Sequence, residues 1–417
     1  MSQMIPFANV KPTEIPKTSL SVLISLAALC LIHCSDQVPI DSSTLDASVD
    51  QAIDASPYSG DAADAFPIDD ADATTGLVFS EPVLVANTPG NAKLPAIAAL
   101  NDGFVQIVWH DFSRDPAGLY QAEGKAGQWE VRKLTLDGGK KSTSAKLLVE
   151  NDKVHMLWEV WESEPTLYHA IYQEDWSEPQ KVAVGKTVSS TFDAQGNIHA
   201  LFFSQKFPTH AIYDGKSWSM GDVIPLDHTY INTFRLAVVN APAGIEVALS
   251  TSPGGTGYQM RRWKWAPMTG WGDMQTLVES LHLSSDDPHG ASDSKGLAHW
   301  VWTEQSPLDP NLIGIATMKN TDASYHWVSA EVGFAMGPVM TIPPDDLPVV
   351  AWITPRETIA VDRHPYGTPQ ELTSHDATIP SITSDADGYS HLVFSARDDQ
   401  GIQQIWYSSN RPAGPNR

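Results

Sequence analysis

The sequence predicts an all-β fold, a seven-bladed β-propeller of four-stranded blades closed by an N-terminal outer strand. Three observations carry that prediction. One turn-and-strand pattern recurs seven times; each repeat holds enough chain for four short strands; and the last repeat lacks its fourth strand, whose counterpart stands at the front of the repeat region.

In the recurring pattern, a polar turn leads into an apolar strand that usually ends in an aromatic residue. The copies are Asn101-Asp102-Gly103 before the strand ending at Trp109, Asn151-Asp152 before Trp158, and Gln195-Gly196 before Phe202. Then come Ala243-Gly244 before Leu249, Lys295-Gly296 before Trp302, Asp345-Asp346 before Trp352 and Asp387-Gly388 before Phe394. They recur at intervals of about 41 to 52 residues, the period of a propeller blade.

Each copy reads as four strands. An inner strand such as Pro95–Leu100 enters the turn, and the patterned strand follows. A third strand often carries tyrosine, as at Tyr120, Tyr168, Tyr213 and Tyr407. The fourth opens on an aromatic residue and contains proline, as in Trp176–Val182 and Tyr366–Leu372. Proline cannot donate to a neighbouring strand, so it marks a sheet edge. The seventh copy ends at Tyr407–Asn410 with no outer strand after it. Phe79-Ser80-Glu81-Pro82 repeats the opening of Trp176-Ser177-Glu178-Pro179. The N-terminal strand is therefore expected to complete the last blade and leave no free edge.

The turns, the His-x-x-aromatic second strands and the aromatic-Ser-x-Pro outer strands together resemble BNR/sialidase-like bacterial propellers, over nearly all of residues 76–412. The Trp-Asp dipeptide of WD repeats does not occur, and diglycines stand only at Gly138-Gly139 and Gly254-Gly255, too few for kelch blades. The Ser-x-Asp-x-Gly-x-x-Trp boxes of active sialidases are also missing. That family holds a sugar carboxylate with three arginines. Here Arg114, Arg356 and Arg397 fall on equivalent second-to-third strand loops, and ion pairing with Asp115, Glu357, Asp398 and Asp399 competes with that role.

Residues 1–34 read as an address. Lys11 and Lys17 precede a 13-residue apolar run, Leu20–Ile32, which is shorter than the roughly 20 residues needed to span a bilayer. Leu31-Ile32-His33-Cys34 resembles a bacterial lipobox, although His33 stands where a small residue is normal. It implies lipidation of Cys34, with Cys30 the poorer match. Ser35 after the cysteine implies outer-membrane sorting, periplasmic or surface-exposed. Between Asp36 and Asp72 there are ten Asp and no Lys or Arg, so residues 35–75 are expected to be a disordered, self-repelling tether. Residues 413–417 form a short tail.

A net charge of −24 excludes nucleic acid as a partner. The only cysteines are Cys30 and Cys34, so the body can form no disulfide. No cofactor or metal is expected. His155, His199, His299 and His391 share one register, but sites in different blades diverge too far to hold one ion. They are expected to make internal hydrogen bonds to adjacent turns. Trp109, Trp158, Trp302 and Trp352 are expected to pack between blades.

The leading function is a non-catalytic, monomeric binding module for a glycan or a protein partner, attached to the membrane by its lipid. The alternative is a glycoside hydrolase or lyase acting on extracellular polysaccharide, with Glu159, Glu162, Glu164, Glu304, Asp309 and Glu357 as available acids. The candidate ligand residues are Arg114, Trp161, Lys206, Phe207, Arg356 and Arg397, all on one loop face.

Overall fold

The computed structural model describes residues 77–412 apart from 87–89, 101–102, 113–117, 126–127, 137, 206, 227–234, 252–258, 279–284, 306–311, 320–325, 330–332, 367, 373–375 and 379. Cys34 and the tether expectation lie outside these residues, as do Arg114 and Lys206.

Seven sheets follow one another along the chain, antiparallel apart from the pairing of Gly333–Phe334 with Leu312–Lys319, and no α-helix occurs among the described residues. The first blade runs outward through Ala92–Ala99, Val105–Asp111, Gly118–Lys125 and Gln128–Lys133. The seventh runs through Ser381–Ser384, Ser390–Arg397 and Gln403–Ser409, and its fourth strand is Val83–Ala86 from the N-terminus. The register pairs Val83 with Tyr407 and Leu84 with Trp406. The expected closure is present. In the fourth and fifth blades the edge is split, with Gly270–Trp271 and Gln275–Val278 sharing one partner strand, and His326–Ser329 and Gly333–Phe334 sharing another.

The core is divided into seven layers, one between each pair of neighbouring blades. Trp158 packs with Val108 and Leu119 between the first and second, and Trp302 with Ala237 and Val239 between the fourth and fifth. The layer joining the seventh blade to the first contains Val85, Ala86, Ile405 and Tyr407 from one side, and Ile107 and Trp109 from the other. Trp109, Trp158, Trp302 and Trp352 are all fully buried, as their packing role requires.

Outer strands begin later than the sequence pattern suggests. The ladder of the second blade takes up Gln180–Val184, while Trp176 makes only an isolated bridge to Tyr172. The physical reason is Pro179, which has no N–H to give; the aromatic-Ser-Glu-Pro segment is an entry turn rather than a strand.

The expected histidine bonds form in three blades. His199, His299 and His391 reach Asp193, Asp293 and Asp385 of the adjacent turn at 3.1, 3.2 and 3.0 Å. Each aspartate also accepts backbone N–H groups of its turn. His155 has no such aspartate and instead meets His169 of the third strand at 3.1 Å. In the fourth blade Glu246 takes the position and pairs with Lys264 at 2.7 Å. The turn glycine Gly103 has φ of 75°, and a side chain there would collide with Arg411. Arg411 in turn binds Asp385 and Asp387 of the last blade, so this contact also links the two ends of the ring.

Candidate ligand site at the loop face

Strand direction alternates within a blade, so second-to-third strand loops and the links between blades emerge on one face. Inner strands begin at that face, and five carry the same irregularity there. The ladder slips at Leu94-Pro95, Ser144-Ala145, Thr187-Val188, Asp287-Pro288 and Gly337-Pro338. The first residue of each pair is left-handed, with φ between 50 and 60°. A bulge of this kind leaves backbone groups unpaired and re-aims the following side chains.

In the third blade those groups are taken by a carboxylate. Glu159, at the end of the second strand of the second blade, accepts the N–H of Thr187 and the Thr143 hydroxyl. The side chain is almost wholly buried, and burial outweighs these bonds, pushing its pKa up to about 7. Thr143 Oγ1 also accepts the indole N–H of Trp161 at 3.2 Å. A chain of hydrogen bonds thus runs from Trp161 through Thr143 to Glu159 and the bulge of the next blade.

Trp161 is 42% exposed. The Lys141 ammonium lies 5.6 Å from its ring centroid and 5.9 Å from that of Phe112 in the first blade. Beside it, Glu162 accepts from Lys140 at 2.5 Å and from the Tyr168 hydroxyl at 3.1 Å. The result is an aromatic surface rimmed by a cation, a carboxylate and hydroxyls, on the inner-strand side of its blade.

The other candidates are arranged differently. Phe207 is 58% exposed on the third blade. Arg356 turns outward to an ion pair with Glu371 of the outermost strand. Arg397 pairs with Asp376 and donates to the Gly401 carbonyl at 3.2 Å. Glu357 shares a hydrogen bond with Asp376, which raises its pKa. Both described arginines are therefore held by carboxylates of their own face.

Thr143, Lys141 and the bulges escaped the sequence reading. Three of the five bulges had a signal in the sequence, the prolines Pro95, Pro288 and Pro338 near the start of inner strands.

No family model matches this sequence, and no curated protein matches it either. Solved structures match this chain at low identity. A protein of unknown function from Dyadobacter fermentans is 11% identical, with a TM-score of 0.48 over 79% of this chain and 97% of its own. The Penicillium chrysogenum alpha-L-arabinanase complexed with arabinobiose is 11% identical, with a TM-score of 0.48 over 80% of this chain and 98% of its own. The Trypanosoma rangeli sialidase in complex with the inhibitor DANA is 9% identical, with a TM-score of 0.45 over 77% of this chain and 55% of its own. These are similarities of chain path.

Proposed function

We propose that the protein is a carbohydrate-binding module of a bacterial envelope, tethered through lipid on Cys34. The observation that carries the binding role is Trp161. An indole that is open to solvent yet fixed through its N–H offers a flat apolar surface for a sugar ring at little entropic cost. The polar rim of Lys141, Glu162 and Tyr168 supplies donors and acceptors for hydroxyl groups.

A glycan array probed with the chain from residue 35 onward tests this reading. Trp161→Ala should weaken binding of any glycan found by about tenfold or more, the effect of losing a central aromatic contact. Stability should shift by less than about 0.5 kcal/mol, because little core packing is lost. Arg356→Ala should matter much less, since that guanidinium already has a carboxylate. Undiminished binding by Trp161→Ala would move the site elsewhere, and a protein partner would leave the array blank.

One observation favours the hydrolase reading: Glu159, a buried acid still protonated near neutrality, suits a general acid. Glycoside hydrolysis also needs a second free carboxylate, and the nearby Glu162 is held by Lys140. Product analysis on the array hits separates the two readings.

Anchoring is expected to depend on the cysteine that ends the lipobox-like segment. Cys34→Ser should move the protein from the detergent phase to the aqueous phase on phase partitioning. The same shift from Cys30→Ser alone would identify the other cysteine as the lipidated one.

A further inference from the structure

The ring leaves an axial channel, a cavity of about 450 Å³ lined by the inner strands of all seven blades. Two cations reach it. Arg235 is neutralised by an ion pair with Asp287. Lys146 has neither hydrogen bond nor ion pair among the described residues. It follows the Ser144-Ala145 bulge, whose slip sets its side chain into the channel wall opposite Leu157 in the ladder. Its side chain is solvent-exposed within the channel, and the protein packed around it lowers its pKa despite the field of Glu159.

Two more donors share the space. His289 Nδ1 accepts the backbone N–H of Met340 at 3.2 Å. A neutral imidazole that accepts at Nδ1 carries its proton at Nε2, so that nitrogen is a donor. It has no partner among the described residues, and the ring feels the charge of Lys146. The Ser190 hydroxyl is buried with no partner among the described residues, and Ser190 lines the same cavity. The lining thus combines an unpaired ammonium, an imidazole N–H and a hydroxyl, with its one carboxylate, Asp287, already engaged.

A lysine without a protein partner, sharing one cavity with two further donors, offers an anion charge-assisted hydrogen bonds. We propose that the axial channel binds a small oxyanion, a carboxylate or phosphate group, on Lys146, with His289 and Ser190 as further donors. The cavity is of a size that takes small molecules. This site is independent of the glycan reading of the loop face.

Calorimetric titration of the protein with inorganic phosphate, and separately with acetate, at pH 7 and constant ionic strength tests the proposal. Saturable binding is expected for at least one of them, and the comparison tells phosphate from carboxylate preference. Lys146→Met keeps the aliphatic stem and should weaken that binding by about tenfold to a hundredfold, the range of one charge-assisted hydrogen bond. Its melting temperature without anion should stay close to that of the parent, because an exposed ammonium without a protein partner has been removed. His289→Gln is the second variant and should weaken binding whether or not Lys146→Met folds. Absence of saturable binding by either anion, or equal affinity in the parent and in whichever variant folds, would overturn the proposal.

Discussion

Deletion of residues 76–90 is expected to abolish the cooperative melting of the whole propeller, while deletion of residues 35–70 leaves it unchanged. The N-terminal segment does more than cover an edge. Phe79 is 2% exposed and packs with Ile353, Ile359, Leu372 and Phe394 in the layer between the sixth and seventh blades. Its backbone is gripped by Gln370 of the sixth blade, which accepts the Phe79 N–H at 2.7 Å and donates to its carbonyl at 2.9 Å. Ser80 then joins the last strand, its N–H donating to the Ser409 carbonyl and its own carbonyl accepting from the Ser408 hydroxyl. Val85 and Ala86 complete the layer against the first blade.

One short segment therefore touches three blades. Loss of the Phe79 ring alone should cost about 3–5 kcal/mol, comparable with much of the 5–15 kcal/mol that holds a typical domain together. Removing the strand also bares the hydrogen-bonding edge of Gln403–Ser409, a template for aggregation. Tryptophan fluorescence melts of the two deletions decide the matter. An unchanged transition after loss of 76–90 would mean that the ring does not depend on this closure.

Blade number, blade order and closure were legible because each rests on patterns that one repeat shares with another. The opening Phe79-Ser80-Glu81-Pro82 could be matched to Trp176-Ser177-Glu178-Pro179 without knowing any contact. The histidine register was legible for the same reason, and three of its four members bind the turn aspartate six residues earlier. His155 differs because its turn offers no aspartate at that spacing.

The site was less visible, since it is built across repeats. Glu159 is distinguished from other loop acids only by the left-handed Thr187 of the next blade, whose N–H it takes. Likewise, Lys146 enters the channel through a one-residue slip that changes the alternation of its strand. Ion pairing of Arg356 was expected within its own loop, at Glu357, but the carboxylate that takes it is Glu371 of the outer strand. Periodicity announces what repeats and is silent about such single departures.

Stability is expected to fall steeply as pH drops from about 6.5 toward 4, a decline that begins above the range in which ordinary carboxylates titrate. Burial holds His155 at a pKa of about 4 and His110, His169 and His210 at about 3. The unfolded chain returns each to about 6.5. Between those values the unfolded state binds more protons than the folded one, so stability is complete above about pH 6.5 and declines as pH falls. Each histidine contributes a slope of about 1.4 kcal/mol per pH unit. His289 should contribute less, because the channel admits water to its ring. Glu159 and Glu357 act with the opposite sign, their raised pKa values favouring the folded state at low pH, but they are two groups against four.

The geometry explains why these rings resist protonation. His155 and His169 stack at 5.3 Å and share one hydrogen bond; His199 and His210 do the same at 5.0 Å. In each pair one ring must accept, so a second proton destroys the bond as well as adding an unpaired charge. His110 has no partner at Nε2 among the described residues. Urea denaturation at pH 7.5, 6.0 and 5.0 should show the midpoint falling at each step. His110→Leu removes one titration without breaking a bond and should flatten the decline by about 1.4 kcal/mol per pH unit, leaving the variant more resistant than the parent at pH 5. A midpoint that stays constant from pH 7.5 to 5.0 would mean that the buried imidazoles take up protons without opening the blades.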